Sequence, residues 1–272
     1  MSRPGDPGTV PGLWIDSHCH LDAPEFAPDR DQVWQAARAA GVAAALVPAI
    51  GLANCAAVDA CCQRYPGCVP AYGIHPLYVH QAAATDLEGL AARLAERRPV
   101  ALGEIGLDGH APHGDFACQE RFFVAQLKLA REFDLPVVLH VRQAVDQVLK
   151  HLRRIRVAGG IAHAFNGSRQ QAEEFLKLGF RLGFGGTLTY SGSTRIRRLA
   201  RELPREALVL ETDAPDIPPS WLPRGRNSPA ELPRIGRALA ELLQEPEVEL
   251  AARLRHNTLA ALPGLAAALE TG

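Results

Sequence analysis

The sequence predicts an α/β fold, a TIM (β/α)8 barrel built as one domain over residues 1–272. Three observations carry this reading. Eight short runs rich in Val, Ile, Leu and Ala each precede a longer segment with helical spacing. The runs are continuously apolar rather than alternating, as in a parallel sheet buried on both faces. Eight units in 272 residues average about 34 residues each, which suits a closed barrel better than an open doubly wound sheet. No GxGxxG follows the first run, which argues against a dinucleotide-binding fold.

In chain order, strands are predicted at 12–18, 42–50, 69–74, 100–105, 136–140, 159–163, 180–184 and 207–210. Helices are predicted between them at 30–40, 53–64, 86–97, 116–133, 144–153, 169–178 and 194–202, with two more at 229–243 and 246–262. No low-complexity segment or Pro/Gly linker divides the chain. Residues 1–11 are expected to form a flexible N-terminal extension. They lack the apolar core of a secretory signal.

Composition narrows the function. A hydrophobic fraction of 47% supports a large core and excludes disorder as the main state. Lys+Arg 29 against Asp+Glu 30 gives a net charge of −1, so no global positive field draws nucleic acid or anionic membrane. Any nucleic acid must be held by a local site. The longest apolar runs, such as 42–50, are too short to cross a bilayer. Cys19, Cys55, Cys61, Cys62, Cys68 and Cys118 show no CxxC spacing and read as small buried hydrophobes in a reducing, cytoplasmic protein.

Barrel chemistry belongs at the C-terminal ends of the strands, and ionisable residues collect there. Strand 1 leads into His18 and His20, two residues apart on one face. Glu104 follows the buried run Pro-Val-Ala-Leu-Gly, where a carboxylate costs several kcal/mol unless it is paired or metal-bound. An ion pair with Arg142 is the alternative. His140 and His163 end strands 5 and 6. Glu211 and Asp213 follow strand 8 on one face, and Asp213, nearer the mouth, is the preferred ligand. Four histidines and two carboxylates at one rim indicate a metal centre. Nitrogen and oxygen donors without thiolate suit Zn, Mn, Fe or, less comfortably, Mg. Six ligands can hold two ions about 3.5–4 Å apart. Lys128, Lys150 and Lys177 all lie in helical segments, which leaves Glu104 as the candidate bridge.

The motifs DSHCHLD, GIHP, GEIGLD, LHVR, HAFNGS and LETDAPDIP occur in this order at barrel-unit spacing. From Trp14 to Leu262 the chain resembles the TatD family of metal-dependent deoxyribonucleases, within the amidohydrolase superfamily. GGTLTY and LETDAPDIP place the resemblance nearest the YjjV-like branch. The resemblance implies two divalent ions, Zn, Mg or Mn. His18, His20, Glu104 and Asp213 would hold one; Glu104, His140 and His163 would hold the other. It also implies that His75 of GIHP lines the substrate site, and that Arg226 and Asn227 of RGRNSP contact or shape it. HAFNGS, LHVRQA and the short GLDGHAPHGDF depart from the family pattern beside the site, where they bear on substrate choice.

The leading expectation is hydrolysis of DNA phosphodiester bonds by a metal-activated water, with Asp213 and Glu104 as catalytic residues. Asp213 would accept the water's proton, while His75 and Arg226 would position phosphate oxygens. Single strands or frayed ends fit a concave mouth. One alternative is a hydrolase of a small amide, lactone, ester or phosphorylated compound; another is a non-catalytic metal-binding scaffold. Arg195, Arg197, Arg198 and Arg201 read as a solvated helix face, because arginine dominates the basic residues throughout the chain.

Overall fold

The computed structural model describes residues 14–110 and 115–270; the expected extension at 1–11 lies outside them. Strands and helices alternate in the order β1 (Trp14–Asp16), α1 (Arg30–Ala40), β2 (Val42–Pro48), α2 (Cys55–Arg64), β3 (Cys68–Tyr72), α3 (Thr85–Arg97) and β4 (Ala101–Asp108). They continue through α4 (Phe116–Glu132), β5 (Val137–Arg142), α5 (Val145–Arg154), β6 (Gly160–Ala162), α6 (Arg169–Lys177), β7 (Phe180–Phe184), α7 (Thr194–Glu202) and β8 (Leu208–Leu210). Three helices follow: α8 (Leu232–Leu243), α9 (Glu247–Ala261) and α10 (Pro263–Glu270).

The eight strands pair in parallel in sequence order, the barrel predicted from the apolar runs. The seam between β8 and β1 is held largely by the segments beyond the strands. Ser17 N donates to Leu210 O at 3.0 Å and Asp213 N to His18 O at 2.9 Å. The buried Asp16 carboxylate accepts from Thr212 N at 2.9 Å and Thr212 Oγ1 at 2.6 Å.

Strand periodicity sorts the side chains into two layers. Ile15, Ala44, Leu46, Val69, Ala71, Ala101, Val138, Ile161 and Val209 fill the barrel interior, where small and branched residues fit the narrow bore of eight strands. Alternate residues such as Trp14, Ala45, Val47, Tyr72, Leu102, Val137 and Leu139 pack outward against the helices. α10 is not among the helices the sequence predicts. Leu262 and Leu265 join the interior cluster there, so this helix packs on the barrel core after α9 ends. Predicted helix 229–243 begins as a 3-10 turn, Pro229–Glu231, before α8. Among the described residues no helix is long and apolar enough to cross a membrane.

One glycine is dictated by this geometry. Gly106 has φ +150°, and a β-carbon there would lie 1.9 Å from His140 O on the paired strand. Only a residue without a side chain lets β4 and β5 approach at this level.

Candidate metal centre

The barrel's two-residue period carries the interior positions upward into the site. From Val69 and Ala71 it reaches His75; from Val138, His140; from Ile161, His163; and from Val209, Glu211 and then Asp213. Two ligand segments break the period. In β4 the pairing to β5 shifts register between Leu102 and Ile105, and this irregularity turns Glu104 inward where strict alternation from Ala101 would turn it out. In β1 the strand ends at Asp16, before the predicted boundary. Residues 17–20 continue as irregular chain pinned by Cys19 N to Leu46 O at 3.0 Å and His20 N to Ala214 O at 2.8 Å.

These segments meet around one carboxylate. Glu104 Oε2 lies 3.1 Å from His18 Nε2 and 3.5 Å from His20 Nε2. Its other oxygen, Oε1, lies 2.9 Å from His163 Nε2, 3.1 Å from His140 Nδ1 and 3.3 Å from His75 Nε2. Asp213 Oδ1 completes the first group, 3.4 Å from His18 Nε2 and 3.8 Å from His20 Nε2. All six sequence-predicted ligands therefore converge. Glu104 pairs with histidines and makes no ion pair with Arg142 among the described residues.

The arrangement fits divalent cations. His18 Nε2 and His20 Nε2 stand 3.2 Å apart, and two facing imidazole lone pairs repel unless a proton or cation lies between them. Compatible donor triads recur on both sides of Glu104: His18, His20 and Asp213; His18, Glu104 and His163; and His75, Glu104 and His140. Nitrogen and carboxylate donors without sulfur match Zn, Mn and related ions.

Hydrogen bonds distinguish two of the three histidines beside Oε1, His140 and His75. Asp108 Oδ2 lies 2.9 Å from His140 Nε2. An ionised carboxylate only accepts, so that nitrogen carries the proton and Nδ1 keeps a free lone pair toward the centre. In His75 the polarity is reversed: Nδ1 accepts from Leu77 N at 3.1 Å, which places the neutral ring's proton on Nε2, facing Glu104. His140 is thus disposed as a ligand and His75 as a hydrogen-bond donor. Asp108 has no role in the sequence reading; it lies beyond the predicted strand end at 105, although its place in the GEIGLD motif, four residues after Glu104, was the signal available. Glu211, set aside there in favour of Asp213, accepts from Ala164 N at 2.5 Å and lies 3.8 Å from His163 Nδ1.

Electrostatics follow from burial and mutual charge. Burial opposes ionisation of Glu104, but the surrounding His75, His163 and His18 outweigh it and hold its carboxyl well below the usual range. Burial pushes Glu211 up to about 8 and also raises Asp213. It pushes His18 down to about 3, a lone-pair state suited to coordination.

The centre opens into a cleft of about 1120 Å³ that reaches His20, His75, Glu104, His140, His163 and Asp213. Arg226 and Asn227 do not line it. Arg226 pairs with Asp29 at 2.6 Å, donates to Glu25 O and stacks 4.7 Å over Phe26. The buried Asn227 donates to Thr212 O, Asp216 O and Ile217 O, bracing the loop that carries Asp213. Arg195 corrects the reading of a solvated face, because it lines the cleft, as Arg142 does. Arg197 and Arg201 instead donate to Leu188 O and Leu242 O, and Arg198 is exposed.

Comparisons with known proteins give the family. The family model for TatD-related DNases matches residues 15–263. The chain is 41% identical over 249 residues to the metal-dependent hydrolase YjjV of Escherichia coli, covering 90% of this chain and 96% of that protein. It is 36% identical over 254 residues to the 3'-5' ssDNA/RNA exonuclease TatD of a Pantoea species, covering 89% and 96% of the two chains. The crystal structure of Escherichia coli YjjV superposes with a TM-score of 0.89 at 39% identity, over 92% of this chain and 98% of that one. Barrel, clustered histidines and carboxylates at the strand ends, and overall similarity agree: the chain is a metal-dependent hydrolase of the TatD-related DNase family.

Proposed function

We propose that this hydrolase cleaves phosphodiester bonds in single-stranded DNA, using two divalent ions. The observation that carries the reading is the split Glu104 carboxylate: Oε2 faces His18 and His20, while Oε1 faces His140 and His163. His18, His20, Asp213 and Glu104 Oε2 would hold one ion; His140, His163 and Glu104 Oε1 would hold the other. Zn, Mn and Mg are the candidates. When bound, such ions supply Lewis acidity and lower the pKa of a water molecule. The name of the Pantoea relative, a 3'-5' ssDNA/RNA exonuclease, favours a nucleic-acid strand as substrate.

The chain's own groups have separable tasks. Asp213, at the cleft with burial raising its carboxyl pKa, accepts the attacking water's proton. His75 donates Nε2–H to a phosphoryl oxygen, the polarity fixed by Leu77 N. Arg226 and Asn227 act by bracing the rim loops. Access to the cleft argues against a closed structural metal site. All six cysteines are free, which fits a cytoplasmic, reducing setting.

A labelled single-stranded oligonucleotide incubated with Mg²⁺, Mn²⁺ or Zn²⁺ tests the reading, with metal counted by elemental analysis. The expected result is two ions per chain and cleavage that Asp213→Ala reduces by about 100-fold or more. Glu104→Ala should lose both ions. Cleavage by both variants at the wild-type rate would refute the assignment.

A further inference from the structure

The cleft lining is divided by charge. Asp22 and Glu25 follow β1, and Asp216 follows β8, its neighbour across the seam. Two guanidiniums also line the cleft: Arg142 at the end of β5, across the barrel from β1, and Arg195 in the first turn of α7, which follows β7. Neither makes a close ion pair among the described residues, although Asp108 is near enough for the Arg142 charge to help lower its carboxyl. Arg142 has no side-chain hydrogen bond there, and Arg195 directs Nε and Nη2 at one neutral acceptor, Asn166 Oδ1, at 3.0 and 2.6 Å.

Some arginines elsewhere on the surface are neutralised: Arg64 by Asp31 at 2.7 Å, Arg205 by Glu245 at 2.5 Å and Arg237 by Glu247 at 3.1 Å. An exposed guanidinium without a counter-ion in a concave site is a ready partner for phosphate, which it meets with two parallel N–H donors. Position separates this pair from the reacting phosphate. The acidic groups at the centre, Glu104, Asp108 and Asp213, have only histidines as ion-pair partners among the described residues, so both arginines stand outside the ligand ring. Arg142 nevertheless follows His140 by two residues on the same strand, and Arg195 holds Asn166, three residues after His163. Both guanidiniums adjoin the His140–His163 side of the centre.

We infer that Arg142 and Arg195 form an anion subsite that binds a phosphate of the substrate other than the one hydrolysed. The substrate class is then a nucleotide chain with at least two phosphates, laid from the centre toward the β5–β7 rim and away from Asp22 and Glu25 beyond β1. This deepens the phosphodiesterase reading and rests on it. Asn166 braces Arg195.

Two substrates separate the subsite from the reaction: the thymidine dinucleotide TpT, with one phosphate, and the trinucleotide TpTpT, with two. The wild type should prefer TpTpT in kcat/KM. Arg142→Gln and Arg195→Gln should each lower that preference about 10-fold and together about 100-fold, through KM rather than kcat, as expected for loss of one charge-assisted contact each. Lysine at either position should restore part of it. A wild type without preference, or a double variant that keeps it, would overturn the inference.

A binding arm is independent of turnover. Fluorescence anisotropy of labelled dT6 with the metal-free protein should show at least a tenfold weaker Kd for the double variant, and an unchanged Kd overturns the subsite. If no form hydrolyses either substrate while that loss of binding is seen, the phosphodiesterase reading fails and the anion subsite stands.

Discussion

Replacing Asp108 by Asn isolates the contribution of a residue that touches no proposed ion. Asp108 is buried; its Oδ2 lies 2.9 Å from His140 Nε2 and its Oδ1 accepts from His110 N at 2.8 Å. The carboxylate fixes the His140 proton on Nε2 and strengthens the Nδ1 lone pair as a donor. Asn is nearly isosteric and can keep the bond from His110 N, so the backbone turn has no reason to move. What it loses is the negative charge, and its NH₂ group competes to face Nε2. Loss of such a supporting carboxylate typically costs 10–100-fold in metal affinity, or about 1.4–2.7 kcal/mol. Competition against a chromophoric chelator at neutral pH, titrating Zn²⁺ or Mn²⁺, resolves this range. One equivalent should weaken by that factor, while the equivalent assigned to His18, His20 and Asp213 changes little. Two equivalents bound with wild-type affinities would refute the argument that His140 coordinates through Nδ1 under the control of Asp108.

Two further outcomes test the scaffold. Gly106→Ala places a β-carbon 1.9 Å from His140 O at φ +150°, and should destabilise the fold by about 1–3 kcal/mol or more in denaturant unfolding, with weakened metal binding because His140 moves with its strand. Asp31, which accepts from Arg64 and Tyr65, has its carboxyl lowered to about 2. A depressed folded-state pKa gives stability that is present above the unfolded value near 3.8 and is lost as pH falls through the folded value. The melting-temperature gap between wild type and Asp31→Asn should therefore be constant above about pH 5 and close between about pH 4 and 2. A gap that persists unchanged at pH 2 would contradict the assignment.

The amino-acid sequence carried much of the fold because barrel strands are buried on both faces and so read as uninterrupted apolar runs. It was less informative about where they stop. β4 runs to Asp108, beyond the predicted 105, and β1 stops at Asp16. Burial of a strand is written in its composition, whereas its last hydrogen bond depends on the neighbouring strand. α10 escaped notice because its Leu265 is apolar for the sake of a barrel interior distant in sequence. Arg195 looked like any other arginine of a helix face, since nothing local distinguishes a guanidinium facing a cleft from one facing solvent.

By itself, the sequence determined the eight-fold alternation of apolar runs and helices and the places where ionisable residues interrupt buried strands. Period-two continuity also carries His75, His140, His163 and Asp213 inward, because a strand's pleat is a local property. Only the tertiary structure decided the rest. The register shift in β4 turns Glu104 into the bore, and the chain beyond β1 brings His18 and His20 to it. It likewise set which nitrogen each histidine presents, through Asp108 for His140 and Leu77 N for His75. Those choices rest on hydrogen bonds whose geometry is set by the local fold, and residue spacing alone does not encode them.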